Sequence, residues 1–264
     1  MIRKVIHIIG TGTIGEPLIG LLADMKESLG IDKVTFHKRT PLLYERAKVK
    51  SLIKRGAYLA TDKKMMKGFS SIGVEPTYET DEAIENANVV IDCTPPDVGP
   101  KDKLRYFKKF TDGKKGFIIQ GGKFKFGKLY ARDVNDSSLD IEKDRFIQIV
   151  SCNTHNIAVI INTLALKDEE PDNLIEGRFV CIRRASDISQ DIDFIPAPKV
   201  KHHYEPDFGT HHARDAACIF KTMGLDLNLF SSSIRVNSQY MHVVWFDLKV
   251  KRATNLKEIY EKLD

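Results

Sequence analysis

The chain has 264 residues, 42% hydrophobic and 29% charged, with 41 Lys/Arg against 36 Asp/Glu and a formal net charge of +5. That composition excludes a disordered, collagenous or disulfide-framed chain and leaves room for one large domain or two ordinary ones. Cys93, Cys152, Cys181 and Cys218 have neither CxxC nor zinc spacing, which predicts free thiols in a reducing compartment. The apolar runs are too short to span a bilayer, so the cytoplasm is the expected location.

Residues 1–9, MIRKVIHII, have a charged start and a short apolar run. A glycine turn follows directly, which predicts a strand over 4–9 rather than a signal peptide. Ile14, Leu18, Leu21, Leu22, Met25 and Leu29 recur at helical spacing. Residues 34–36 read as a second strand, 42–55 as a basic helix, 81–86 as a short acidic helix and 88–92 as a buried strand. A helix over 101–110 and strands over 116–119 and 146–150 complete this half. Strands alternating with helices predict an α/β fold, a doubly wound parallel sheet of Rossmann type.

Beyond Ser151-Cys152 the pattern changes. Residues 153–166 form an apolar helix, 177–184 and 234–250 carry strand-like runs, and 194–215 is loop-like and rich in Pro and His. We therefore expect two domains: a dinucleotide-binding domain over 1–151 and a catalytic α+β domain over 152–264.

The turn Gly10-Thr-Gly12-Thr-Ile-Gly15 ends the first strand and opens the first helix, the order a dinucleotide site requires. Gly10 permits the turn, Gly12 lets the backbone approach a pyrophosphate, and Gly15 lets the helix pack closely on the strand. The second strand ends Phe36-His37-Lys38-Arg39-Thr40-Pro41, with no acid to take a ribose 2′-hydroxyl. Lys38 and Arg39 suit a 2′-phosphate, so NADP is the expected cofactor, with NAD as the alternative. Thr94 and Pro95 follow the strand over 88–92 and are expected at the cofactor crevice.

Ser151-Cys152-Asn153-Thr154 lies between a strand and a helix. A thiol at a helix head meets the positive end of the dipole, which favours a thiolate, and the same N–H groups can hold an oxyanion. That combination serves attack on an aldehyde or acyl carbonyl. Between 101 and 128 there are ten Lys/Arg against two Asp, interleaved with aromatics. Such a stretch could bind nucleic acid, but the aromatics also fall at core spacings, and a basic surface equally suits small phosphorylated ligands.

These segments resemble the archaeal-type glyceraldehyde-3-phosphate dehydrogenases. Gly12-Thr13-Ile14-Gly15 is similar to that family's cofactor turn, and Lys38-Arg39-Thr40-Pro41 to its basic motif. Val90 to Pro95, Gly99 and Gln120-Gly121-Gly122-Lys123 follow its pattern, Ser151 to Thr154 resembles its nucleophile turn, and Arg183-Arg184-Ala185 with Asp187 its phosphate-binding strand. The resemblance implies NADP or NAD at Gly10, Gly12, Thr13, Ile14, Gly15, Lys38, Arg39, Thr94, Pro95 and Gly121. It implies Cys152 as nucleophile and His242, after Met241, as base. Ser151, Asn153, Thr154, Arg183, Arg184, His211 and His212 would bind substrate. A phosphorylated aldehyde, inorganic phosphate and a homo-oligomeric assembly (a dimer or tetramer) are the expected partners. No metal is expected: His202, His203, His211 and His212 lack a carboxylate or cysteine at standard spacing.

The chain departs from the family in two places. His155-Asn156-Ile157-Ala158-Val159 stands where the family has Thr-Gly with an arginine soon after, and His155 could contact substrate or share the base role. The family also continues well past residue 264. Two other readings stay open at this point: a related semialdehyde dehydrogenase or acyl-phosphate reductase, and a non-catalytic nucleotide- or RNA-binding protein on a dehydrogenase scaffold.

Overall fold

A computed structural model describes residues 4–94, 115–120, 126–167, 169–185, 197–200, 202, 204–238 and 241–264. The expected helix over 101–110 and the candidate residues Pro95, Gly99, Gly121 to Lys123, Asp187 and His203 lie outside the described residues, as does most of the basic stretch over 101–128. The chain forms two compact units, Met1–Gln120 with Glu142–Ile147, and Gly121–Ile141 with Gln148–Asp264.

The first unit runs β1 (Val5–Ile9), α1 (Gly15–Asp24), β2 (Lys33–His37), α2 (Arg46–Lys54), β3 (Tyr58–Thr61), α3 (Met66–Ser71), β4 (Tyr78–Glu79), α4 (Thr80–Glu85), β5 (Val89–Asp92) and β6 (Gly116–Gln120). Two further strands, β7 (Lys128–Tyr130) and β8 (Phe146–Ile149), extend a sheet ordered β4-β3-β2-β1-β5-β6-β8-β7. Pairing from β4 through β6 is parallel throughout. This is a Rossmann-like sheet.

A parallel sheet is covered on both faces, so its strands carry apolar side chains in near-continuous runs. Ile8, Val34, Phe36 and Leu59 are wholly buried, and α1 turns Ile19 and Ala23 inward, α2 Val49 and Leu52. Several polar side chains buried among them are hydrogen-bonded. His7 Nδ1 lies 2.8 Å from Thr35 Oγ1, which also donates to the Ile6 carbonyl, and Thr61 donates to the Lys38 carbonyl at 2.8 Å.

The second unit contains β7 and then α5 (Cys152–Ile161), which continues as a wider π-type turn over Asn162–Leu166. It goes on through β9 (Leu174–Arg183), β10 (Lys199–Val200), α6 (His211–Lys221), β11 (Leu229–Arg235), β12 (Val243–Val250) and α7 (Leu256–Leu263). Its sheet is ordered β10-β11-β9-β12, with β11 parallel to β9 and the outer strands antiparallel to their neighbours. Phe179 and Cys181 of β9 and Leu229 of β11 face a core filled by Ile157, Ala158 and Ile161 of α5 and by Ala213, Ala216 and Phe220 of α6.

The loop-like reading of 194–215 is corrected at its end. Thr210 caps a helix that starts at His211, because its hydroxyl accepts from the His212 N–H and nothing in Ala213-Arg214-Asp215 breaks a helix. The run over 234–250 is two strands. β11 ends at Arg235, where the Val236 N–H still bonds the Arg183 carbonyl, and β12 resumes at Val243. Strands β3 and β4 and helix α3 have no counterpart in the sequence reading: two to six residues carry too little periodicity to show there.

Candidate active site and cofactor turn

In the first unit the turn after β1 has the shape a dinucleotide needs. Gly10 has a φ of +98°, a left-handed conformation that favours glycine, and a Cβ there would stand 3.3 Å from the Thr94 side chain. A Cβ on Gly15 would fall 2.0 Å from the Gly10 carbonyl oxygen, so no side chain fits where α1 starts against β1. A Cβ on Gly12 would meet nothing within 4 Å among the described residues. The middle glycine thus faces open space that a pyrophosphate can enter, with Thr13 and Ile14 exposed beside it. Thr94 reaches this turn because Asp92, buried at the end of β5, accepts from both its N–H and its hydroxyl, at 2.8 and 2.5 Å.

Lys38 also reaches the turn. Its Nζ lies 3.4 Å from Thr11 Oγ1 and 2.5 Å from Glu45 Oε2, and its side chain is 9% exposed. Arg39 next to it is exposed. The sequence reading did not pick out Glu45. It is the sole acid between Asp32 and Asp62 in an otherwise basic stretch, and that isolation is the signal that marks it.

In the second unit the cysteine turn is built from local hydrogen bonds. Ser151 caps α5: its hydroxyl accepts from the Thr154 N–H and lies 2.9 Å from Thr154 Oγ1, and its carbonyl accepts from the His155 N–H. Thr154 and Asn153 are buried under the first turn, which leaves Cys152 as its exposed member.

His242 comes to this turn from the residue before β12. Its Nδ1 lies 3.5 Å from Cys152 Sγ and 3.1 Å from Asn153 Oδ1. The strand pairing explains the approach: β12 runs antiparallel to β9 with Val243 opposite Ile182, which fixes where the preceding residue stands. Asn153 therefore touches the histidine as well as flanking the thiol.

His212 also reaches this turn, through Ser151. It is buried at the start of α6, its Nδ1 lies 3.4 Å from Ser151 Oγ, and its ring centroid lies 4.0 Å from that of His211 with the two planes inclined at 46°. The head of α6 is held by Ser231 of β11, whose hydroxyl bonds Thr210 Oγ1 at 2.7 Å and accepts from the Ala213 N–H. Ser231 had no signal in the sequence. His155 points elsewhere, with Nε2 bonded to the Arg132 carbonyl at 3.2 Å. Arg183 ends β9, and its buried Nε has no hydrogen-bond partner among the described residues. Arg184 follows it directly.

The other thiols differ from Cys152. Cys93 and Cys181 are buried, and burial pushes the Cys181 thiol up to about 11. Desolvation also raises Cys218, with the nearby Asp215 carboxylate adding to it. Among the described residues no cluster of His, Cys, Asp or Glu could hold a metal ion, and no helix is long and apolar enough to cross a membrane.

Sheet order and glycine turn together define an α/β protein of Rossmann-like fold, with a cysteine–histidine pair in its second unit. The chain resembles archaeal proteins named glyceraldehyde-3-phosphate dehydrogenase. It is 27% identical over 255 residues to the glyceraldehyde-3-phosphate dehydrogenase of Pyrobaculum islandicum, covering 92% of this chain and 66% of that protein. It is 26% identical over 266 residues to that of Methanobacterium bryantii (99% and 72%), and 27% identical over 254 residues to that of Sulfolobus acidocaldarius (92% and 65%). The chain spans about two thirds of the length of such relatives. No family model matches it. The likeness supports the glyceraldehyde-3-phosphate dehydrogenase family and singles out no member of it.

Proposed function

We propose that this protein is a nicotinamide-nucleotide-dependent, cysteine-using aldehyde dehydrogenase of the phosphorylating type, with glyceraldehyde 3-phosphate as substrate and an acyl phosphate as product. The observation that carries this reading is the Cys152 Sγ to His242 Nδ1 approach of 3.5 Å at the head of α5. The archaeal relatives' shared name supports the substrate class.

The residues suit each step. His242 Nδ1 takes the thiol proton, and the N–H so formed is one that Asn153 Oδ1 can accept. Cys152 Sγ adds to the aldehyde carbon and gives a thiohemiacetal. Its oxygen meets the N–H groups that head α5, and His242 exchanges the proton on that oxygen. The nicotinamide ring, when bound, supplies the two-electron oxidation that turns the thiohemiacetal into a thioester. Inorganic phosphate then attacks the thioester carbon, releasing the acyl phosphate and restoring the Cys152 sulfur. His211, His212, Arg183 and Arg184 supply donors for the phosphate groups.

The dinucleotide would lie on the turn from Gly10 to Gly15, with Thr94 beside it and Lys38 and Arg39 toward the adenosine ribose. Arg39 is exposed and suits a 2′-phosphate, whereas the Lys38 ammonium is paired with Glu45, and NAD fits the same turn. Reduction of NADP and NAD with glyceraldehyde 3-phosphate and phosphate tests the reading. We expect turnover that Cys152→Ser abolishes while dinucleotide binding persists. Turnover unchanged in Cys152→Ser removes the covalent route, and activity only on carboxylate-bearing acyl phosphates displaces the triose.

A further inference from the structure

We propose that Glu45 sets the choice between 2′-phosphorylated and unphosphorylated dinucleotides by holding the Lys38 ammonium. The inference rests on the dinucleotide reading of the glycine turn and deepens it. Read from sequence, the end of β2 is a cationic platform, Lys38 and Arg39, open to a 2′-phosphate. The structure occupies half of it. Lys38 Nζ lies 2.5 Å from Glu45 Oε2, and the other oxygen, Glu45 Oε1, lies 3.7 Å from Lys48 Nζ. Lys48 in turn stands 3.0 Å from Glu16 Oε2, in the first turn of α1. Two ammonium groups and two carboxylates thus form a chain that ends against Thr11 inside the glycine turn. Only the exposed Arg39 remains uncommitted to it.

The chain of charges is neutral as it stands. A 2′-phosphate brings roughly −1.5 to −2. To bind Lys38 it must break a short, mostly desolvated ion pair, and it then faces the Glu45 carboxylate at close range, where like charges repel strongly. A 2′-hydroxyl is neutral and can donate to that carboxylate, as an acid near the end of the second strand does in NAD sites. Glu45 therefore opposes NADP and tolerates or assists NAD, although it is not in the strand and is separated from Lys38 by seven positions. It is a positioning residue: it acts on NADP through Lys38. With Glu45 neutralised, Lys38 and Lys48 outnumber Glu16, and the cluster becomes a phosphate receptor.

The test is titration of the full chain with NADPH and with NADH, for wild type, Glu45→Gln, Lys38→Met and the double variant, with thermal melts confirming folding. Glu45→Gln should tighten NADPH by about tenfold or more and leave NADH unchanged or weaker. The gain should disappear in the double variant, because without Lys38 there is nothing for Glu45 to withhold. It should shrink as salt rises from 0.05 to about 0.5 M. Should Glu45→Gln melt early, Glu45→Asp, which withdraws the carboxylate but keeps its charge, should raise the NADPH preference by a smaller factor. An NADPH-to-NADH affinity ratio that does not move in any Glu45 variant overturns the proposal. Wild type and variants that bind neither dinucleotide overturn the cofactor reading itself.

Discussion

Cys152 and His242 are 90 positions apart in the chain, yet Sγ and Nδ1 stand 3.5 Å from each other. The thiol comes from the head of a helix and the imidazole from the approach to a strand. Both are tied to Asn153, which follows the cysteine and whose Oδ1 lies 3.1 Å from His242 Nδ1. If this pair is a working nucleophile and base, replacing the histidine should cost rate far more than it costs stability. We expect His242→Gln to lower kcat about 10²–10⁴-fold, the usual range for a lost general base. It should also slow alkylation of Cys152 near neutral pH, while the melting temperature changes little because His242 is only partly buried. A variant that keeps wild-type kcat would assign the base elsewhere, with His212 the next group to test.

Thiol labelling separates the cysteines by burial. Iodoacetamide at pH 7.5 should modify Cys152 first, since it is exposed, while Cys93 and Cys181 are enclosed. Cys181, held up to about 11, stays a thiol across the whole usable range, and Cys218 is also raised. Peptide mapping after partial reaction should find the label at residue 152 at least about tenfold ahead of the others, because the thiolate is the reacting form. Equal, slow labelling of all four would remove the case for an activated nucleophile.

The glycine turn offers a contrast between two substitutions three residues apart. Gly15→Ala would push a methyl into the Gly10 carbonyl at 2.0 Å, so the strand and helix must separate. A loss of about 1–3 kcal/mol in unfolding free energy is expected, the range for overpacking. Gly12→Ala meets no atom of the described residues within 4 Å and should leave the urea midpoint close to wild type. Its methyl occupies the space a pyrophosphate would take, so dinucleotide affinity should fall by about tenfold or more. If Gly12→Ala binds NADPH and NADH as wild type does, the phosphates do not lie there.

His7 makes acid stability measurable. It is fully buried in β1, and desolvation, helped by the nearby His37, lowers it from 6.5 to about 3. Below 6.5 the unfolded chain takes a proton that the folded chain refuses until about pH 3. The neutral form's contribution is therefore complete above 6.5 and is lost as pH falls toward 3. Between pH 7.5 and pH 4.5 this costs the fold about 2–3 kcal/mol. Denaturant titrations of wild type and His7→Gln should show a shallower acid loss in the variant, and parallel curves would mean that His7 titrates normally.

Much of this protein is legible in its sequence because the relevant physics is local. The spacing of Gly10, Gly12 and Gly15 fixes a turn that only glycine can make at two of its three positions. The run from Val89 to Asp92 fixes a buried strand, and the Ser151 hydroxyl fixes the start of α5 through a bond three residues long. The start of α6 was hidden by the neighbouring prolines and histidines, although Thr210 caps it by the same local rule. What the sequence could not decide was which distant group each local feature meets. His155, His211, His212 and His242 were all within reach of Cys152 on paper. The register of β12 against β9 and the cap of α6 on Ser231 determine that His242 meets the thiol and His212 the Ser151 hydroxyl, while His155 bonds the Arg132 carbonyl. Lys38 likewise reads as an open cation until the fold sets Glu45 against it. Pairings of that kind depend on strand order and helix packing, whose energies are summed over the whole core, so no short window of residues contains them.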